Sequence, residues 1–121
     1  MRFVALLLAV LCFGFSIQSS VAKASIYDSN VIPHLQLSAD QKHEMQKVIS
    51  ESRIRRNKIF RKHGINPDAK PEMSLLQRAS SELMANAARE RDAVKKILNS
   101  QQLRVYDAIM KETRERVMAS F

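Results

Sequence analysis

Six basic residues and no acid occupy the ten positions Arg53-Ile54-Arg55-Arg56-Asn57-Lys58-Ile59-Phe60-Arg61-Lys62. On a helix, Ile54 falls opposite the face that carries Met45 and Val48, so an aliphatic side chain stands among Arg53, Arg55, Arg56, Lys58, Arg61 and Lys62. The chemistry of such a surface is weak, broad recognition. Arginine attracts acidic groups and stacks on aromatic rings, while the aliphatic side chain takes up exposed apolar segments of a partner. The competing reading is a solvated basic face with no partner.

Other reactive groups do not converge. The histidines are His34, His43 and His63, and no His-x-x-His, His-x-x-x-His or carboxylate-paired set places two metal ligands on one face. They read as surface or capping residues. There is no nucleophile elbow, no glycine-rich phosphate loop and no convincing carboxylate pair. With two glycines in the whole chain, active-site loops are hard to build. The expectation is a non-enzymatic protein with no catalytic residues, no cofactor and no metal site.

Elements that would position the basic run are legible from periodicity. Residues 25–36 lack a pattern and read as a flexible arm. The first helix should start at Leu37-Ser38-Ala39-Asp40-Gln41. There Ser38 caps the N3 amide and Gln41 reaches back to the Ser38 amide. Gly64 should end it, because glycine enters the left-handed conformation at low cost. A break follows from Gly64 to Pro71, with Asn66-Pro67 and Lys70-Pro71 inside it. A second helix is expected from about Glu72 to Leu98, with Glu90 as the one charged interruption of its apolar stripe. A third begins at Leu98-Asn99-Ser100-Gln101-Gln102 and carries Leu103, Tyr106, Ile109, Met110, Thr113, Val117 and Phe121 on one face. Its continuity with the second helix is left open by the sequence. Most of the methionines Met45, Met73, Met84, Met110 and Met118 lie on or beside these stripes and read as core by default. No run alternates as a strand would.

The N-terminus reads as an export signal. Met1-Arg2 precede an apolar run from Phe3 to Phe15, and Ala22-Lys23-Ala24 supplies a small-x-small cleavage pattern. The run falls short of the roughly 20 residues a spanning helix needs. Cleavage after Ala24 would remove Cys12, the single cysteine, and would lower the net charge from +8 to +6 because Arg2 and Lys23 leave with it. The expected organisation is a signal at 1–24, an arm at 25–36 and one helical domain at 37–121. Export argues against nucleic acid as the partner of the basic run, and no stable membrane anchor is expected.

Two capping segments repeat at a fixed offset. Leu37-Ser38-x-x-Gln41 matches Leu98-Asn99-x-x-Gln102, and core positions follow in register: Met45 on Tyr106, Val48 on Ile109, Ser52 on Thr113, Phe60 on Phe121. With this repeat in an exported helical chain, the sequence resembles the periplasmic Spy/CpxP-like proteins, whose signature is a repeated L-T-x-x-Q. Ser38 and Asn99 stand where the family has threonine, and both are good caps.

The resemblance implies an all-α fold of long bent helices in a hairpin-like protomer, two of which pair as an antiparallel, cradle-shaped homodimer. It further implies a periplasmic, ATP-independent chaperone for unfolded envelope proteins. The alternatives it implies are an inhibitor of an envelope-stress sensor kinase, bound through the kinase's periplasmic domain, and a metal-responsive relative. In either of the first two roles Arg53–Lys62 would be the client or partner surface.

Overall fold

The computed structural model describes residues 25–121, and every regular element among them is helical. The expected signal at 1–24 lies outside the described residues. A 3-10 turn, Ile32–His34, precedes α1 (Ala39–His63), α2 (Met73–Lys95) and α3 (Ser100–Met118). Helices α2 and α3 are separate, parted by a turn over residues 96–99. No helix among the described residues is long and apolar enough to cross a membrane.

The helix boundaries follow from local chemistry. Ser38 accepts a hydrogen bond from the Gln41 amide at 3.2 Å, and the Gln41 side chain accepts from the Ser38 amide at 3.0 Å. At α3 the same box recurs, with Gln102 N to Asn99 Oδ1 at 2.8 Å and Asn99 N to Gln102 Oε1 at 3.0 Å. Gly64 ends α1 at φ 71°, in the left-handed region where a Cβ would be strained. Helix α2 has no side-chain cap at Glu72. Packing rather than capping holds its start, through the adjoining buried Pro71.

The two capping boxes also bind each other. Gln41 Nε2 donates to Gln102 Oε1 at 3.0 Å and to the Ile97 carbonyl at 3.1 Å. Gln102 Nε2 donates to Gln41 Oε1 at 3.2 Å and to the Gln36 carbonyl at 2.7 Å. Residues 36 and 97 are themselves repeat equivalents, so the repeat is a local pseudo-two-fold junction. Each glutamine amide fills its two donor and two acceptor positions. Replacing Gln41 or Gln102 by alanine should cost about 1 kcal/mol each. In a double-mutant cycle by urea denaturation the two losses should fail to add by about 0.5 kcal/mol or more; simple additivity would show that the amides do not interact.

Two apolar clusters sit at opposite ends of the antiparallel α1/α2 pair. Beside the capping junction, Met45, Val94, Leu98 and Tyr106 gather with Val31 and Leu35. At the far end Phe60, Ile65 and Ala79 gather with Tyr27, Leu76 and Leu83. Between them the pair meets through polar groups: Asn86 Nδ2 donates to the Ser52 carbonyl at 3.1 Å. Helix α3 keeps its backbone away from both partners along most of its length. Side chains bridge it to the rest: Arg91 grips Asp107 with two bonds of 3.0 Å, and Tyr106 donates to Glu90.

Residues 25–36 are a correction to the sequence reading. They are laid against the helices rather than free as an arm. Val31 is 2% and Leu35 7% exposed, Tyr27 tilts onto the Phe60 ring at a centroid distance of 4.8 Å, and Arg56 binds both the Tyr27 carbonyl and Asp28. The segment shows no periodicity because its anchors are tertiary, supplied by three helices.

Candidate functional site

The space left by α3 is a groove of about 290 Å³ between the α1/α2 pair and the C-terminal half of α3. Its apolar walls are Phe60 from α1, Leu76, Leu83 and Ala87 from α2, and Met110, Val117 and Met118 from α3. Tyr27 and Ser29 of the packed segment close one side. Ser52, Glu90 and Thr113 supply polar groups to the lining, and each is buried. Arg114 adds positive charge to the lining, and Arg56 lines it with its guanidinium paired to Asp28.

Helical register explains the mixture. On α2, positions 76, 83, 87 and 90 recur at spacings of three, four and seven, so the predicted stripe faces α1 and the groove together. Glu90, the interruption in that stripe, is met by the Tyr106 hydroxyl from across the turn. Burial and the adjacent Glu90 carboxylate push the Tyr106 phenol well above its ordinary value. In the repeat, Tyr106 stands where α1 has Met45, so this one substitution brings a hydroxyl to Glu90.

The side chains of the basic run do not all share one face. Arg56 is turned inward: Asp28 takes its charge, and its guanidinium lies 5.9 Å from the Phe60 ring centre. Arg53 approaches Asp28 at 3.4 Å from a more exposed position. Arg55 Nε donates to Asn86 Oδ1 at 2.7 Å. Lys62 and His63 both reach Glu82, at 2.9 and 3.0 Å. Lys58 and Arg61 are exposed, and Ile54, 53% exposed, projects beside them as the helical register requires.

The His63–Glu82 contact is a carboxylate-paired histidine that the sequence did not signal, because the partners lie 19 residues apart across the helix pair. The Lys62 hydrogen bond, followed by that of His63, holds the Glu82 carboxyl below its usual range. Asp107 is likewise lowered, first by its hydrogen bonds from Arg91. His34 and His43 are exposed. No group of three or more His, Cys, Asp or Glu residues able to hold a metal occurs among the described residues.

Large exposed apolar side chains occur on all three helices, Ile54, Met73, Met84 and Val105 among them, so Met73 and Met84 do not join the core as the sequence suggested. Met118 is 57% and Phe121 41% exposed, while Phe60, the repeat equivalent of Phe121, is 1% exposed. Ala79, Leu76 and Leu83 of α2 cover Phe60 in the first repeat. The groove was not visible in sequence, since its walls come from three helices and its width from the stand-off of α3. No protein-family model, curated protein or solved structure matches the chain.

Proposed function

We propose that the protein is a periplasmic, ATP-independent binder of unfolded envelope polypeptides, acting as an antiparallel homodimer of hairpin-like protomers. The observation that carries this reading is the groove: an open, mainly apolar trough with arginines in its lining. Apolar walls take up side chains that a folded protein would bury. Methionines 110 and 118 adapt to varied shapes because the thioether side chain is unbranched and polarisable. Arg114 and the outer basic face of α1 attract acidic flanks of a client over a distance set by salt. Release follows when the client folds and withdraws its own apolar surface. The resemblance to Spy/CpxP-like proteins supports the same role and the dimer.

The test is suppression of aggregation of an unrelated, chemically denatured protein at near-stoichiometric ratio. Light scattering reports the mass of the binder in the same experiment. Val117→Glu and Met118→Glu place charge on the groove wall at positions that are not fully buried. Together they should reduce suppression several-fold while helicity by circular dichroism is retained. Unchanged suppression by the double variant would sink the reading, and a monomer mass would sink the dimer.

A further inference from the structure

We propose that α1 and α2 carry a second, independent site: an anion cleft for a phosphate group, with Arg55, Lys58 and Arg89 as its ligands. The cleft encloses about 360 Å³ and has no residue of α3 in its lining. Arg55 and Lys58 stand at i and i+3 on α1, and Ala85 and Arg89 at i and i+4 on α2, so each pair shares one helix face. Ala85 has the smallest side chain in the lining and leaves room between the two basic walls.

Arg55 is fixed in place before any ligand arrives. Its Nε donates to Asn86 Oδ1 at 2.7 Å, and Asn86 in turn donates to the carbonyl of buried Ser52 at 3.1 Å. This chain sets the plane of the guanidinium and leaves its two terminal NH2 groups for a ligand. That fork matches two oxygens of a phosphate, and a guanidinium held this way loses little freedom on binding. Lys58 and Arg89 then approach from the two walls as further donors. Groups converging from both sides suit a tetrahedral, doubly charged anion better than a planar carboxylate, which one fork satisfies.

Charge distribution supports the assignment. The ion pairs among the described residues use Asp28, Glu82 and Asp107, and none involves Arg55, Lys58 or Arg89. Glu82, the single acid in the cleft lining, is held by Lys62 and His63. With Glu82 engaged by Lys62 and His63, the three cations have no ion-pair partner of their own and repel one another, and a bound dianion relieves that repulsion. Phosphate occurs both on soluble polyphosphates and on lipid headgroups, and the cleft chemistry suits either. The proposal does not rest on client binding in the groove, so either can fail alone.

The experiment is an NMR titration of the purified protein with inorganic pyrophosphate, following the Arg55 Nε–H, the Asn86 side-chain amide and the Ala85 and Arg89 backbone amides. A parallel arm measures co-sedimentation with phosphatidylcholine vesicles with and without phosphatidylglycerol. Saturable shifts confined to the cleft are expected. Affinity should fall about tenfold in Arg89→Gln, as for loss of one charge-assisted bond. It should fall several-fold in Arg55→Lys, which keeps the charge and loses the fork. Arg104→Gln, an equal loss of charge at an exposed position on α3, should leave it unchanged. Pyrophosphate binding without vesicle binding assigns a soluble ligand, and vesicle binding that pyrophosphate competes away assigns a headgroup. Shifts that do not saturate, equal weakening by Arg104→Gln, or vesicle binding indifferent to Arg89→Gln would overturn the site.

Discussion

Phe60→Ala should lower the unfolding free energy by about 3–5 kcal/mol, and Phe121→Ala, at the equivalent position of the repeat, by less than about 1 kcal/mol. The contrast arises from what surrounds each ring. Phe60 is 1% exposed, packed among Ile65, Ala79 and Tyr27, with the Arg56 guanidinium against its face. Truncation removes apolar burial, leaves a void that neighbours on two helices fill only in part, and forfeits the tilted contact with Tyr27. Phe121 is 41% exposed and loses little. Urea denaturation of the two single variants checks the prediction. Comparable losses would mean that the distal aromatic of the second repeat is buried in solution, as a dimer partner covering that end would bring about. Because Phe60 also lines the groove, its variant should bind 8-anilinonaphthalene-1-sulfonate more strongly at concentrations where the fold is retained.

Local chemistry was legible in this sequence and long-range chemistry was not. The caps at Ser38 and Asn99, their partners Gln41 and Gln102, and the stop at Gly64 were each readable because a cap is built from residues within one turn of the helix end. The repeat offset foretold matching cores, and buried Met45 and Tyr106, then buried Ser52 and Thr113, occupy matching positions. That the two glutamines would clasp each other lay beyond pattern reading. Residues 25–36 looked free because Tyr27, Asp28, Val31 and Leu35 take their partners from elements far along the chain. The basic run looked uniform because a helical wheel shows facing but no counter-ions. Asp28 turns Arg56 into an anchor, and Asn86 turns Arg55 into an oriented fork. A charge count could not have separated these roles.

Tyr106→Phe should destabilise the protein by about 1–3 kcal/mol, because it removes the hydroxyl that satisfies a buried carboxylate. Glu90 is 8% exposed, and the Tyr106 hydroxyl is the one side-chain donor it meets among the described residues. Glu90→Leu in the Tyr106→Phe background should recover most of the loss, since removing both polar partners leaves no unmet group. A double-mutant cycle by urea denaturation distinguishes this from simple loss of packing, in which Glu90→Leu would not rescue.

The pH dependence has a definite sign. The Tyr106 phenol is raised above its ordinary 10.0 in the fold by burial first and by Glu90 next. Below pH about 10 the phenol is protonated in both folded and unfolded chains, and its contribution to stability is complete. As pH rises above 10 the unfolded chain ionises first, so stability falls toward the raised folded value. Tyr106→Phe should flatten that alkaline decline without abolishing it, because burial also raises Tyr27. An alkaline slope identical to that of the parent protein would show that Tyr106 ionises equally easily in both states. In that case the buried pair with Glu90 would not persist in solution, and the groove would present a solvated carboxylate where the fold places a paired one.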